Sequence, residues 1–153
     1  MNKPFLLLIS LCLFFNSLSL LTKAEQVVFS EIMYHPKDGG HEFVEIENLT
    51  STPFDIALWR LSGGVDFEFP DFSTASPRNT FLKAFEKIVI CDTDPGTFRA
   101  AYGLPSAVRV LGPWKGNLNN GGERINLKDK NGINQCTVRY DNQGNWPVAA
   151  DGG

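Results

Sequence analysis

His35, His41, Glu42 and Glu45 put two imidazoles and two carboxylates into one short stretch of chain. These are the side chains that hold zinc, or that exchange protons in hydrolysis. Their spacing argues against both uses. No His-Glu-x-x-His pair is present to place two imidazoles on one helical face. In a strand, residues two apart share a face, so Glu42 and Glu45 should diverge unless a bulge intervenes. The reading is therefore structural: His35 belongs to a His-Pro turn, and the glutamates line an exposed sheet face or accept from loop amides. No metal or other cofactor is expected here.

Three further groups offer oxygen ligands: Asp92 with Asp94, Asp129 with Asn131, and Asp141 with Asn142 and Asn145. None has the ligand spacing of a calcium-binding helix-loop-helix. Aspartate and asparagine bond to their own turn backbone, which accounts for all three without an ion. The chain has no Gly-x-Ser-x-Gly elbow, no phosphate-binding glycine loop and no dinucleotide signature. Cys91 lies in the apolar run Lys87-Ile88-Val89-Ile90-Cys91, a setting for an inert thiol. No catalytic residue is assigned. Cys91 and Cys136 are a candidate disulfide if the protein is exported, or two buried thiols if they stay apart. Asn48-Leu49-Thr50 fits an N-glycosylation acceptor in a eukaryotic secretory route.

Trp59, between Leu58 and Leu61, reads as a core anchor. Trp114 and Trp146 each neighbour a proline. They are candidate partner-binding aromatics, or plugs folded back over an end of the domain.

The elements that must carry these residues are short strands. Val27 to Met33 and His41 to Asn48 are β-rich runs closed by Pro36 and Gly39-Gly40. Phe54 to Leu61 reads as one strand, Val65 to Phe69 as a half-buried one, Phe81 to Cys91 as mostly strand, and Val108 to Leu111 as a short one. Glu123 to Leu127 and Ile133 to Tyr140 form a hairpin about Asp129-Lys130-Asn131-Gly132. Asp94 to Gly103 is a two-turn helix, with proline in its first turn and glycine at its stop. Many short strands with Gly-, Asn- and Pro-rich turns predict an all-β sandwich or barrel.

The first residues belong to none of this. Lys3, the apolar run Phe5 to Phe15 and the small or polar residues up to Ala24 have the layout of a secretory signal peptide. Residues 1–24 are expected to be removed, leaving one domain over 25–153, secreted or on the exterior of the cell envelope. No later stretch is long or apolar enough to span a bilayer. The chain carries a net charge of −3, and Lys3 and Lys23 leave with the leader. An acidic product repels phosphate backbones, so nucleic acid is not an expected partner.

Five stretches, taken in order, resemble the lamin tail domain family. They are Phe29-Ser30-Glu31-Ile32-Met33-Tyr34-His35-Pro36, then Glu42-Phe43-Val44-Glu45-Ile46-Glu47-Asn48, then Phe54-Asp55-Ile56-Ala57-Leu58-Trp59-Arg60-Leu61-Ser62. Gly116-Asn117-Leu118-Asn119-Asn120-Gly121-Gly122-Glu123-Arg124-Ile125-Asn126-Leu127 and Trp146-Pro147 complete them. The resemblance runs from about Val27 to Gly153. The Trp-Pro ending with Ala-Asp-Gly-Gly resembles the exported bacterial branch. It implies an immunoglobulin-like β-sandwich without catalytic activity, serving protein or surface-glycan binding, tethering or adhesion. In exported bacterial proteins such modules accompany nucleases, phosphoesterases or CotH-like kinases, so an accessory module of a longer secreted enzyme is the alternative. Family members continue past Asp-Gly-Gly with another short strand. Its absence here implies an irregular segment over 149–153 and an open sheet edge prone to self-association.

Overall fold

The computed structural model describes residues 25–37, 39–71, 80–144, 146–147 and 150–151. Two sheets face one another. The first has the order β1 (Val27–Met33), β2 (Phe43–Asn48), β7 (Lys87–Cys91), β8 (Arg109–Leu111). The second has the order β11 (Asn134–Tyr140), β10 (Glu123–Lys128), β4 (Arg60–Ser62), β5 (Val65–Glu68), β9 (Lys115–Gly116). A two-stranded ladder of β3 (Phe54–Asp55) and β6 (Phe81–Leu82) closes one end. This is an all-β sandwich, one of the two architectures the turn pattern predicts, and it is immunoglobulin-like, as the resemblance implies.

Strand alternation builds the core. Val44 and Ile46 of β2 and Ile88 and Ile90 of β7 point inward, meeting Leu61, Ile125 and Leu127 from the other sheet. All seven are at most 1% exposed. Each such side chain contributes about 1.5–3 kcal/mol by leaving water. The opposite face of the four-stranded sheet carries a second, smaller cluster around Phe43, Val89, Cys91 and Val110. The helix α1 (Pro95–Tyr102) covers it with Phe98. Asp94 caps this helix by accepting from the Gly96 and Thr97 amides at 2.8 and 3.1 Å, and Gly103 ends it in the left-handed region. The helix does more than connect. It returns the chain so that β8 pairs parallel to β7, which no tight turn allows.

Two expected segments are divided differently. Phe54 to Leu61 is two strands, β3 and β4, separated by a turn in which Leu58 takes φ +60°. Phe81 to Cys91 is likewise split, with Phe85 at φ +57° in the turn between β6 and β7. The two-residue strand β9, to which the sequence reading assigned no element, pairs Gly116 with Val65. A side chain at Gly116 would collide with the Gly64 carbonyl, so glycine is what permits this pairing.

The two ends of the sandwich differ. Glu42, Leu118, Glu123 and Tyr140 gather at one, which we call the Glu42 end. The loops around Leu49, Leu58, Phe85 and Lys130 lie at the other, the Leu58 end.

Candidate functional site

The quartet of histidines and glutamates is dispersed by its own fold. Glu42 turns in at the sandwich end and accepts the Leu118 amide at 2.9 Å. Glu45 lies on the outer face of β2, accepting from Ser30 Oγ at 2.6 Å and Lys87 Nζ at 2.7 Å. The two carboxylates therefore diverge, as strand geometry requires. His41 Nδ1 sits 3.1 Å from Asp92, while His35 Nδ1 sits 2.8 Å from Asp151. No group of three metal-ligating side chains converges among the described residues. Burial holds the Glu42 carboxyl above the ordinary value, with Asp92 and Glu123 adding to the rise and the Leu118 amide opposing it. Burial and the adjacent Glu123 likewise raise Tyr140, whose hydroxyl donates to Glu123 Oε1 at 2.9 Å.

The aspartate-rich turns are self-sufficient. Asp129 Oδ1 accepts from the Asn131 and Ile133 amides at 2.9 and 3.0 Å, and Asp141 Oδ1 from Gln143 at 3.1 Å. Asp92 Oδ2 accepts the Glu42 amide at 3.1 Å.

Two candidate assignments are corrected. Cys91 and Cys136 are free and buried. Cys91 points from β7 toward α1, whereas Cys136 points from β11 into the space between the sheets. A sheet separates them, so no disulfide joins them. Burial pushes both thiols up to about 11, which leaves little reactive thiolate at neutral pH. Trp114 is not a surface anchor either. It is 5% exposed, packed in the main core beside Trp59 at 6%, and its indole N–H has no partner among the described residues. The glycosylation acceptor is closed as well: Asn48 is fully buried, and its amide donates to the Thr52 and Lys83 carbonyls, both at 2.8 Å.

Trp146 is different. It is only partly buried and stands edge-on to Tyr140, with ring centroids 6.4 Å apart. Tyr140 in turn stacks on Tyr34 at 4.8 Å. With Pro147 and Ala150, Trp146 borders a groove of about 320 Å³ along β1. Phe29, Ile32 and Met33 form its β1 side and Val138 comes from β11. β1 and β11 are the terminal strands of their sheets, so the groove is the seam where the sandwich is left open. Phe29 pairs opposite Ile46, and Ile32 opposite Val44, both inward-facing positions. Strict alternation would send Phe29 and Ile32 to opposite faces. The register shift between Phe29 and Glu31 realigns them, so two apolar residues three apart line one wall. That bulge is why sequence reasoning missed these residues; Ser30 between Phe29 and the Ile32-Met33 pair was the available hint.

The segment expected to be irregular reaches the same place. Ala149, Gly152 and Gly153 lie outside the described residues. Asp151 bridges His35 in parallel register, and the His35 amide donates to the Ala150 carbonyl at 3.2 Å.

A family model described as Lamin Tail Domain matches residues 22–142. The match covers every strand and stops short of Trp146-Pro147 and the Asp-Gly-Gly segment, which the resemblance had included. None of the curated proteins matches the chain.

Proposed function

The chain belongs to the lamin tail domain family, and we propose that it is an exported, non-catalytic module that binds an extended segment of a partner protein along the seam between β1 and β11. One observation carries the reading. Phe29, Ile32 and Val138 face the interior yet remain only half-buried, because Trp146, Pro147 and Ala150 border the seam without covering them. An edge strand offers backbone donors and acceptors, and alternate apolar positions offer side-chain pockets. Those are the two requirements of strand addition. A seam with this apolar lining suits a peptide better than a glycan.

The non-catalytic part of the reading is supported by how the polar groups are used. Glu42, Asp92, Asp94, Asp129 and Asp141 each accept from backbone amides, so each has a structural role in a turn, a cap or a strand end. Export to the cell exterior, with residues 1–24 as a cleaved leader, is supported by Lys3 and the apolar run that follows. No helix among the described residues is long and apolar enough to cross a membrane.

The test is selection of displayed peptides on the protein. Peptides of alternating apolar residues should be enriched, and their affinity should fall about tenfold or more in Trp146→Ala and Val138→Lys. Ligands that bind both variants as tightly as the parent would refute the assignment. A concentration-dependent dimer abolished by Val138→Lys would assign the seam to a second copy of this chain instead.

A further inference from the structure

The outer face of the five-stranded sheet carries charge that the fold does not use. Ile125 and Leu127 of β10 and Cys136, Val138 and Tyr140 of β11 turn inward. Alternation therefore sends Arg124, Asn126 and Lys128 outward, with Thr137 and Arg139 beside them. Arg124 stands directly opposite Arg139 in the ladder. On the other side of β10, Lys128 stands opposite Arg60 of β4. Like charges facing each other across a ladder destabilise it. Arg60 is relieved by Asp66, whose carboxylate accepts from Nε at 2.8 Å and Nη2 at 2.7 Å. Arg124, Arg139 and Lys128 have no ion pair and no side-chain hydrogen bond among the described residues. Both arginines are exposed.

The neighbouring carboxylates bound this strip without entering it. Asp66 and Glu68 belong to β5, on the far side of β4, where Glu68 stands opposite Arg60. Glu123 turns in at the Glu42 end and accepts from the Tyr140 hydroxyl and the Asn119 amide. Asp129 and Asp141 follow β10 and β11 and accept from the amides of their own turns. The outward positions of β10 and β11 hold no acid, in a chain whose net charge is −3.

The geometry selects the anion. Directly opposed Cβ atoms lie about 5 Å apart, so both guanidinium groups reach one ligand group. A single guanidinium saturates two oxygens by itself. Two of them suit a group with three free oxygens. A sulfate ester has three; a carboxylate and a phosphodiester have two. Lys128 lies about 13 Å further along β10, with Asn126, Thr137 and Ser62 between. The Thr137 hydroxyl donates to Asn126 Oδ1 at 3.0 Å, which leaves the Asn126 amide hydrogens and the opposing Ser62 hydroxyl without a partner among the described residues. These groups suit the hydroxyls of a sugar. No aromatic or large apolar side chain occupies an outward position of β4, β10 or β11. A nucleobase has nothing to stack on, and a protein partner finds no desolvated centre.

We propose that the face formed by β4, β10 and β11 binds a sulfated polysaccharide, with Arg124 and Arg139 clasping one sulfate and Lys128 meeting another. This face lies outside the β1–β11 seam and stands or falls independently of the peptide binding proposed there. Both core clusters are built from residues after Gln26, so a chain beginning at Glu25 carries its own core. That chain should bind dextran sulfate, bind carboxymethyl dextran of equal charge density more weakly, and ignore unmodified dextran. Arg124→Gln with Arg139→Gln should weaken dextran sulfate binding about tenfold or more and lower the slope of log affinity against log salt by about 2. The same variant should melt at or above the parent temperature, because a like-charge pair is gone. Lys37→Gln with Lys83→Gln removes equal charge from exposed, unpaired positions elsewhere and should leave binding unchanged. The proposal is overturned if the parent does not bind dextran sulfate, or if the arginine variant binds undiminished or melts below the parent. It is equally overturned if the lysine variant loses as much affinity, or if carboxymethyl dextran or duplex DNA binds as tightly as dextran sulfate.

Discussion

Removing one buried amide should unfasten one end of the sandwich. Asn48 closes β2 with its side chain fully buried. Its Nδ2 donates to the Thr52 and Lys83 carbonyls at 2.8 Å each, and its Oδ1 accepts the Thr50 amide and hydroxyl at 2.9 Å each. One side chain thus ties β2 to the 50–52 loop and to the turn before β7. Asn48→Ala leaves the Thr50 amide unpaired, strips one donor each from the Thr52 and Lys83 carbonyls, and opens a small cavity. At about 1 kcal/mol for each partly wetted group, plus the lost packing, the cost is about 3–4 kcal/mol. That is a large share of the roughly 5–15 kcal/mol a domain possesses, and it corresponds to a fall of about 10 °C in melting temperature. Asn48→Asp should be at least as harmful at neutral pH, since it aims a carboxylate at two carbonyls. Burial raises the folded pKa of such an acid above its unfolded value, so Asn48→Asp should recover stability relative to Asn48→Ala as the pH falls and the acid becomes a donor. Urea unfolding of both variants at two pH values measures this. A loss under about 1 kcal/mol for Asn48→Ala would refute the account.

Trp114→Ala should destabilise about as much as Trp59→Ala, about 3–5 kcal/mol, because both rings are buried. Trp114→Phe should cost much less, since it removes an indole N–H that has no partner. Calorimetry separates the three, and a Trp114→Ala variant that melts like the parent would contradict the burial. Folding favours the protonated form of Glu42, so its contribution is full below the unfolded value of 4.5 and is lost as pH rises. Glu42→Gln, which keeps an acceptor for the Leu118 amide, should therefore gain on the parent between about pH 4 and 7. A melting-temperature difference that is flat or reversed over that range counts against it. Cys91 and Cys136 should resist alkylation at pH about 8 in the folded state, react fully on unfolding, and show no mass change on reduction. Rapid labelling of the native protein would contradict their burial.

What was legible in the sequence was whatever alternation and turn chemistry encode locally. The β10–β11 hairpin follows from Asp129-Lys130-Asn131-Gly132, and α1 from its proline start and glycine stop. The turns at Leu58 and Phe85 were hidden because those residue types do not mark turns, so two split strands read as single ones. Trp114 was misplaced because a neighbouring proline signals a loop, and a loop residue can still point into the core. The cysteine strands were identified correctly, but which face of which sheet each thiol occupies depends on strand order, which no local pattern contains. The seam lay beyond sequence reasoning for the same reason: it needs β1 and β11 to end their sheets side by side, and a bulge at Ser30 to turn Phe29 and Ile32 the same way.

Amide hydrogen exchange with a selected peptide bound tests the seam most directly. The outward-facing amides between Phe29 and Met33 should exchange quickly in the free protein and about tenfold or more slowly in the complex. The opposite edge, at Lys115–Gly116, should be unaffected. Protection confined to any other strand, with β1 unchanged, would contradict binding by strand addition at this seam.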